Sequence, residues 1–227
     1  LKKQLLRLYD ALNEKAKEFD HVIKMGRTQM QDAVPIRLGQ EFKAYSVAIM
    51  RDIHRMDKAM DEMRTLNMGG TAIGTGINAD EGYLRRIVPN LTEISGMDFI
   101  QAFDLIDSTQ NLDPFVAVSG AVKACAVTLS KMSNDLRLMS SGPRTGFGEI
   151  NLPAKQNGSS IMPGKVNPVI PEVVNQVAFN IIGNDVTITM AAEAGQLELN
   201  AFEPIIFYNL FESIETLASA VKTLVDN

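Results

Sequence analysis

Several things are scarce in this 227-residue chain, and each scarcity narrows its function. There is no tryptophan, a single cysteine and only two histidines. One cysteine, Cys125, forms no intramolecular disulfide and supports no cysteine-rich zinc site. It reads as a small buried apolar residue, and its solitude fits a reducing, cytoplasmic compartment. His21 and His54 lie in no motif, so a serine–histidine–acid triad has no support. His54, in the middle of a helical pattern among charged neighbours, is expected to face water. Net charge is −5 and no basic run occurs, which argues against nucleic acid as a partner. No apolar segment reads as a membrane span and no signal peptide is recognised, so no membrane association is expected. Carboxylates are plentiful, but none form a spaced ligand set, so no metal site is expected. Convincing β alternation longer than a few residues is also missing.

What is present points to helices. Methionine is abundant at 12, and the 45% hydrophobic and 22% charged residues are ordinary for a globular protein. Leu1, Leu5, Leu8, Leu12 and Ala16 recur every three or four positions and predict a helix over Leu1–Phe19. His21–Gly26 reads as an extended connection and Arg27–Pro35 as a polar loop. A second stripe from Leu38 through Phe42, Tyr45, Ile49, Ile53, Met56, Met60 and Met63 to Leu66 predicts a helix roughly 43 Å long. Met68–Gly76 is glycine-rich. It is neither a phosphate loop nor a dinucleotide fingerprint, because no Gly-Lys-Ser/Thr follows it and no strand precedes it. Its glycines serve tight turning or close backbone approach, with a ligand role left open.

Asp80–Val88 and Pro89–Ser95 read as two short helices, stopped by Gly96. Phe103–Met139 is another long helical pattern, with Pro114 as a kink or a start behind a capping Asp113. Helices are also predicted from about Pro171 to Glu193 and from Phe202 to Val225. The fold class is therefore all-α: an elongated bundle of about five helices, with polar chemistry in the loops.

One loop stands out, Gly158-Ser159-Ser160-Ile161-Met162-Pro163-Gly164-Lys165-Val166-Asn167. Pro163-Gly164 is a turn dipeptide. Lys165 and Asn167, two residues apart, point the same way in extended backbone. A cation and an amide can thus converge on one anionic group, with serine hydroxyls just upstream, a kit for holding a carboxylate during proton chemistry. The same composition also describes a plain linker and turn. A second dense stretch, Gly26-Arg27-Thr28-Gln29-Met30-Gln31-Asp32-Ala33-Val34-Pro35, reads either as a capped helix entry or as donors, Thr28 and Gln29, for a substrate carboxylate.

The serine loop, continued by Pro168-Val169-Ile170-Pro171-Glu172, resembles the signature of the aspartase/fumarase superfamily. The Gly26–Pro35 stretch resembles that family's second motif. Fumarases carry Thr-His where this chain has Thr28-Gln29, whereas some aspartases carry Thr-Gln. Leu38-Gly39-Gln40-Glu41-Phe42, Gly183-Asn184-Asp185 and Glu193–Asn200 also resemble the aspartase branch. The likeness covers essentially the whole chain, as the central helical domain (residues 1–227) of such an enzyme.

The resemblance implies a carbon–nitrogen lyase, reversibly deaminating L-aspartate to fumarate and ammonia. Ser159 would take the Cβ proton and give an aci-carboxylate intermediate. Thr28, Gln29, Ser160, Lys165 and Asn167 would bind substrate. The family requires no cofactor; divalent cations activate some aspartases, which is not legible here. Lys165 and backbone N–H groups of the turn would stabilise the serine anion. Glu172 matches the acid that partners the fumarase histidine. With Gln29 present it is left between that role and a place in the first turn of the next helix. Asn134, Asp135 and Arg137 are expected to make structural pairs between helices or subunits.

The resemblance further implies a homotetramer whose active sites each draw on three subunits. The family's N-terminal Ser- and Asn-rich motif and its small C-terminal domain have no counterpart here. The chain is thus expected to be a piece of a longer protein with little turnover alone. Two alternatives stand beside this reading: a fumarase hydrating fumarate to malate, and a non-catalytic helical oligomerisation scaffold.

Overall fold

Leu5, Leu8, Leu12 and Ala16 line one face of α1 (Lys2–Glu18), and all four are buried. Those residues are what make this polar helix amphipathic. The computed structural model describes residues 1–227 and has seven helices. Five are long: α1, α2 (Leu38–Glu62), α5 (Asp113–Met139), α6 (Val169–Glu193) and α7 (Glu203–Asp226). The other two are α3 (Glu81–Ser95) and the four-residue α4 (Asp107–Gln110). The expected all-α class holds.

The chain divides into two compact units. The first comprises residues 1–54, 123–182 and 214–227. Its core joins Leu5, Leu8, Leu12, Ile49, Ile53, Cys125, Ala126, Leu129, Val174, Ile181 and Leu217. Each leucine, isoleucine or valine among them contributes roughly 1.5–3 kcal/mol on burial. Phe19 and Phe42 meet at 5.4 Å between ring centroids. Asn134, Asp135 and Arg137 do make interhelical pairs. Asn175 of α6 donates to Asn134 and to Ser130, Arg137 reaches Asn175, and Asp135 accepts from Tyr45 of α2 at 3.0 Å. Burial first, then the charges of Asp135 and Glu41, push the Tyr45 phenol well above its ordinary range, so it acts only as a neutral donor.

Between α1 and α2 the chain forms a β-hairpin, where an extended connection and a polar loop were expected. Strands β1 (Ile23–Thr28) and β2 (Gln31–Arg37) pair antiparallel from Ile23↔Arg37 to Thr28↔Gln31, with an irregularity between Met25 and Arg27. The two-residue turn, Gln29-Met30, has positive φ at both positions, 53° and 65°, as a type I′ hairpin turn demands. The hairpin is clamped at its feet. The Leu38 N–H donates to Val22 O, and the Gly39 N–H donates to Phe19 O. Here α2 crosses the end of α1 so closely that a Cβ on Gly39 would lie 2.3 Å from the Ala16 carbonyl oxygen. Only glycine fits.

The second unit holds residues 55–122 and 183–213. Its apolar interior includes Met56, Ala59, Val88, Leu112, Ile188, Ile206 and Leu210. Phe115 packs edge-on against Phe207 at 5.2 Å. Short strands β3 (Thr65–Leu66) and β4 (Ile100–Gln101) pair in parallel. The second helix therefore ends at Glu62, a turn before the expected Leu66. The glycine-rich loop is used for close approach: a Cβ on Gly74 would lie 2.3 Å from Ile106 Cα.

The two short helices expected over 80–95 are one. Asp80 caps α3 by accepting from the Tyr83 N–H, and a left-handed Gly96 ends it. Pro89 sits inside and forgoes the bond to the carbonyl four residues back; two good caps and the buried Val88 outweigh that loss. Helix α5 starts at Asp113-Pro114, as a start rather than a kink. It is long and apolar enough to cross a membrane by length and mean hydropathy, which the sequence reading did not register. Part of that apolar surface, at Ala121, Val122, Cys125, Ala126, Leu129 and Met132, is buried inside the protein.

Candidate functional site

The serine loop closes on itself. The Lys165 N–H donates to Met162 O at 3.3 Å, and Gly164 has φ 80°. Met162-Pro163-Gly164-Lys165 is thus a type II turn, with proline and glycine in the positions that turn requires. Its two ends touch, since a Cβ on Gly158 would lie 2.6 Å from the Lys165 carbonyl oxygen.

Within this loop Ser159 is half-buried. Its Oγ accepts hydrogen bonds from the backbone N–H groups of Ile161 and Met162, both at 3.2 Å. A serine oxygen held by two amide hydrogens is a common local turn device. The same geometry is also what an alkoxide needs, because both donors stay in place as charge develops. Ser159 therefore sits on a loop, outside the apolar interior.

The other expected site residues are exposed or nearly so. Ser160 and Lys165 are exposed on the loop, and Asn167 is half-buried immediately before α6. The Asn167 carbonyl accepts from the Val169 N–H at 2.9 Å. Lys165 and Asn167 thus lie beside the N-terminal end of a 25-residue helix, where backbone dipoles favour an anion. Thr28 and Gln29 are exposed at the hairpin tip. The side chains of Thr28, Gln29, Ser160, Lys165 and Asn167 make no hydrogen bond or ion pair with this chain, and none joins the hairpin tip to the serine loop. Five polar side chains remain uncommitted, in two sets that a single chain does not link.

Glu172 lies in the first turn of α6 with Arg137 Nη2 3.7 Å from its Oε1. Of its two expected roles, this placement favours the helix start. His21 and His54 are both exposed, as expected for His54.

A charged cluster that no motif announced underlies the hairpin. Glu149 lies between two cations. Its Oε1 accepts from Arg27 Nη1 at 2.5 Å, and its Oε2 is 3.2 Å from Lys24 Nζ. That second oxygen is close enough for an ion pair, though not aligned for a hydrogen bond. Lys24 also lies 3.1 Å from Glu41 Oε2 and donates to the Met25 carbonyl. Arg27 Nε reaches Asp32 Oδ1 at 3.1 Å, while its guanidinium lies over the Phe147 ring at 4.3 Å. The Lys24 and Glu149 side chains are only 9% and 14% exposed, so these charges lean on one another rather than on water. The Glu149 hydrogen bond, with the Glu149 and Asp32 charges, raises the Arg27 guanidinium further above its ordinary value.

A concavity of about 640 Å³ touches these groups only at Glu149 and Asn167. Leu8, Leu12, Phe42, Met132, Leu136 and Ile150 dominate its walls, and it meets the serine loop only at Asn167. Such an apolar trough suits no small dicarboxylate.

Comparison with known proteins adds an independent line. A family model described as Lyase matches residues 1–183. The chain is 54% identical over 220 residues to the aspartate ammonia-lyase of Bacillus subtilis (strain 168), covering 97% of this chain and 46% of that protein. It is 51% identical over 229 residues to the aspartate ammonia-lyase of Escherichia coli (strain K12), covering 98% and 48%. Among solved structures, a fumarate lyase:delta crystallin from Brucella melitensis bound to cobalt superposes with a TM-score of 0.97 at 52% identity, covering 99% of this chain and 49% of that one. A class II fumarase from Schistosoma mansoni superposes with a TM-score of 0.92 at 37% identity, covering 99% and 50%. The chain spans about half the length of the curated relatives it matches.

Proposed function

We propose, from the premise that this chain belongs to the lyase family, that it is the central helical domain of a carbon–nitrogen lyase converting L-aspartate reversibly to fumarate and ammonia. The observation that carries this reading is the Ser159 oxygen seated on two backbone N–H groups, on a loop whose remaining polar side chains are uncommitted. As an alkoxide, Ser159 takes one proton from Cβ of aspartate. The electron pair left behind moves into the adjacent carboxylate, which becomes a doubly charged aci-carboxylate. Lys165, Asn167, Ser160, Thr28 and Gln29 are the donors for that added charge, and donors fixed in advance favour the transition state over the substrate. Collapse of the intermediate forms the carbon–carbon double bond and expels the amino group from Cα as ammonia.

Gln29 supports deamination over hydration. A neutral amide stands where the resemblance places the histidine of fumarases, and it cannot relay a proton to or from water. The fold does not separate the two chemistries, since a class II fumarase shares it at a TM-score of 0.92.

The same proposal includes a homotetramer. Val173, Phe179, Ile182, Val186 and Met190 form an exposed apolar stripe along α6, with Phe179 63% and Met190 65% exposed. A helix apolar on both faces belongs inside a larger assembly. Association of copies brings together a hairpin tip and a serine loop that one chain leaves unlinked. The single Cys125, in no disulfide, fits a cytoplasmic location.

The test uses the full-length parent. Ser159→Ala lowers deamination, followed by the ultraviolet absorbance of fumarate, by roughly 10²–10⁴-fold. Turnover that survives this change overturns the reading, and malate accepted in place of aspartate reassigns it to a fumarase. The 227-residue chain alone is expected to show little turnover at saturating aspartate.

A further inference from the structure

Glu149 lies ten residues before Ser159, and Arg27 immediately precedes Thr28. Neither Glu149 nor Arg27 is among the groups that meet substrate in the proposed reaction. Yet the two form the shortest charged contact of the hairpin, and they join it to residues 141–150, the segment that leads into the serine loop.

Both ends of this contact are held firmly. The Glu149 N–H donates to Met139 O at 2.8 Å, at the end of α5, and the Gly148 N–H donates to Ser141 O at 2.8 Å. The Phe147 N–H donates to Ser141 Oγ at 3.0 Å. Residues 141–150 are therefore pinned to the helical core and present Glu149 and Phe147 as a fixed seat. On the hairpin side, Arg27 is gripped from several directions: by Glu149, by Asp32 across the strand pair, by the Met25 carbonyl and by the face of Phe147. Arg27 pairs with Asp32 one step before Thr28↔Gln31, the pair that closes the turn. The turn itself holds two non-glycine residues at positive φ, a conformation that costs of order 1–3 kcal/mol per residue and persists only where neighbours enforce it. A two-stranded ribbon is marginal by itself, so the seat at Glu149 is what restrains the tip.

We propose that Glu149 is a positioning residue, which through Arg27 fixes the hairpin tip so that Thr28 and Gln29 meet the substrate carboxylate in a set direction. The inference rests on the reading of that tip as substrate-binding, and it adds a residue that touches no reacting atom. Glu149→Gln keeps the shape and one acceptor for Arg27 but removes the charge that faces both cations.

The experiment is a double-mutant cycle in the full-length parent, with steady-state kinetics on L-aspartate. Thr28→Ala lowers kcat/KM about 10–100-fold, the weight of a hydrogen bond to a charged group. Glu149→Gln lowers it about 10-fold, mainly through KM. In the Thr28→Ala background the same Glu149→Gln change costs only about 3-fold, because Thr28 is already absent and Gln29 alone is left to misdirect. Full additivity of the two changes overturns the proposal, since a merely structural role depresses both backgrounds alike, and it leaves the proposed function intact. A silent Thr28→Ala overturns the tip as a binding element, and the positioning role with it. Should Glu149→Gln fail to fold, Arg27→Lys closes the same cycle from the other partner. It keeps the positive charge and loses the fork, with the same non-additivity expected and the same additivity refuting it.

Discussion

Replacing Gly39 by alanine should destabilise the protein, although the same change inside a helix ordinarily helps. Gly39 is the second residue of α2. Alanine there would gain about 1 kcal/mol from helix propensity. The new methyl group, however, would lie 2.3 Å from the Ala16 carbonyl oxygen and 2.8 Å from both Asp20 N and Asp20 Cα. All three are backbone atoms, so no side chain can swing aside, and α1 and α2 must part. Overpacking of this kind costs about 1–3 kcal/mol. Separation also stretches the Gly39 N–H bond to Phe19 O and the Leu38 N–H bond to Val22 O, each contributing about 1 kcal/mol. The net effect is a loss of about 2–4 kcal/mol. For a chain of this size that lowers Tm by roughly 5–15 °C. Gly120 in α5 is the control, because an added Cβ there meets nothing within 4 Å. Gly120→Ala should raise stability by about 1 kcal/mol. Urea and thermal unfolding followed by far-ultraviolet circular dichroism measure both. A Gly39→Ala variant as stable as the parent would refute the close crossing of α1 and α2.

Three further outcomes are expected. Met30→Gly relieves a positive φ of 65° at the hairpin tip and should raise stability by about 0.5–1 kcal/mol in urea titrations. Gly158→Ala forces the loop away from the Lys165 carbonyl; in the full-length parent it should lower kcat for L-aspartate about 100-fold, the cost of an ångström-scale displacement. Asp226 has its pKa lowered by hydrogen bonds from Lys222 and then Arg7, so its contribution is complete above the ordinary value of 3.8 and fades as pH falls through the lowered one. Asp226→Asn should therefore flatten the acid side of the urea-midpoint curve below about pH 4 and narrow the gap to the parent as pH falls.

How far the sequence revealed the fold depended on burial. Helices α1, α2, α5, α6 and α7 were legible because residues such as Leu5, Leu8 and Leu12 repeat at helical spacing against a core. The hairpin was not. Its strands bury no face: Ile23 and Val34 are each 68% exposed, so no apolar alternation marks them. Gln29-Met30 lacks the asparagine and glycine that announce a tight turn. The α3 helix was split at Pro89 because proline usually ends a helix, and here two firm caps override it.

In the candidate site, the chemistry of the Gly158–Asn167 loop was readable because proline, glycine and adjacent serines each constrain the backbone locally. The pair of N–H groups on Ser159 follows from that local rule. Glu149 and Lys24 escaped notice for the opposite reason. Their partners are up to 125 residues away in sequence, between Lys24 and Glu149, and a lone acid in a loop carries no periodic signal.

The clamp between Phe19 and Gly39 seals the root of the hairpin with two main-chain bonds, and Glu149 seats its flank. Only the exposed turn beyond them is released from the helices, so a change of side chain there leaves their packing in place. A scaffold arranged this way can try out new reagents at one solvent-facing corner, position 29 above all, without renegotiating its interior. That separation gives a structural reason why a single helical frame could accommodate both the expulsion of an amine and the addition of water.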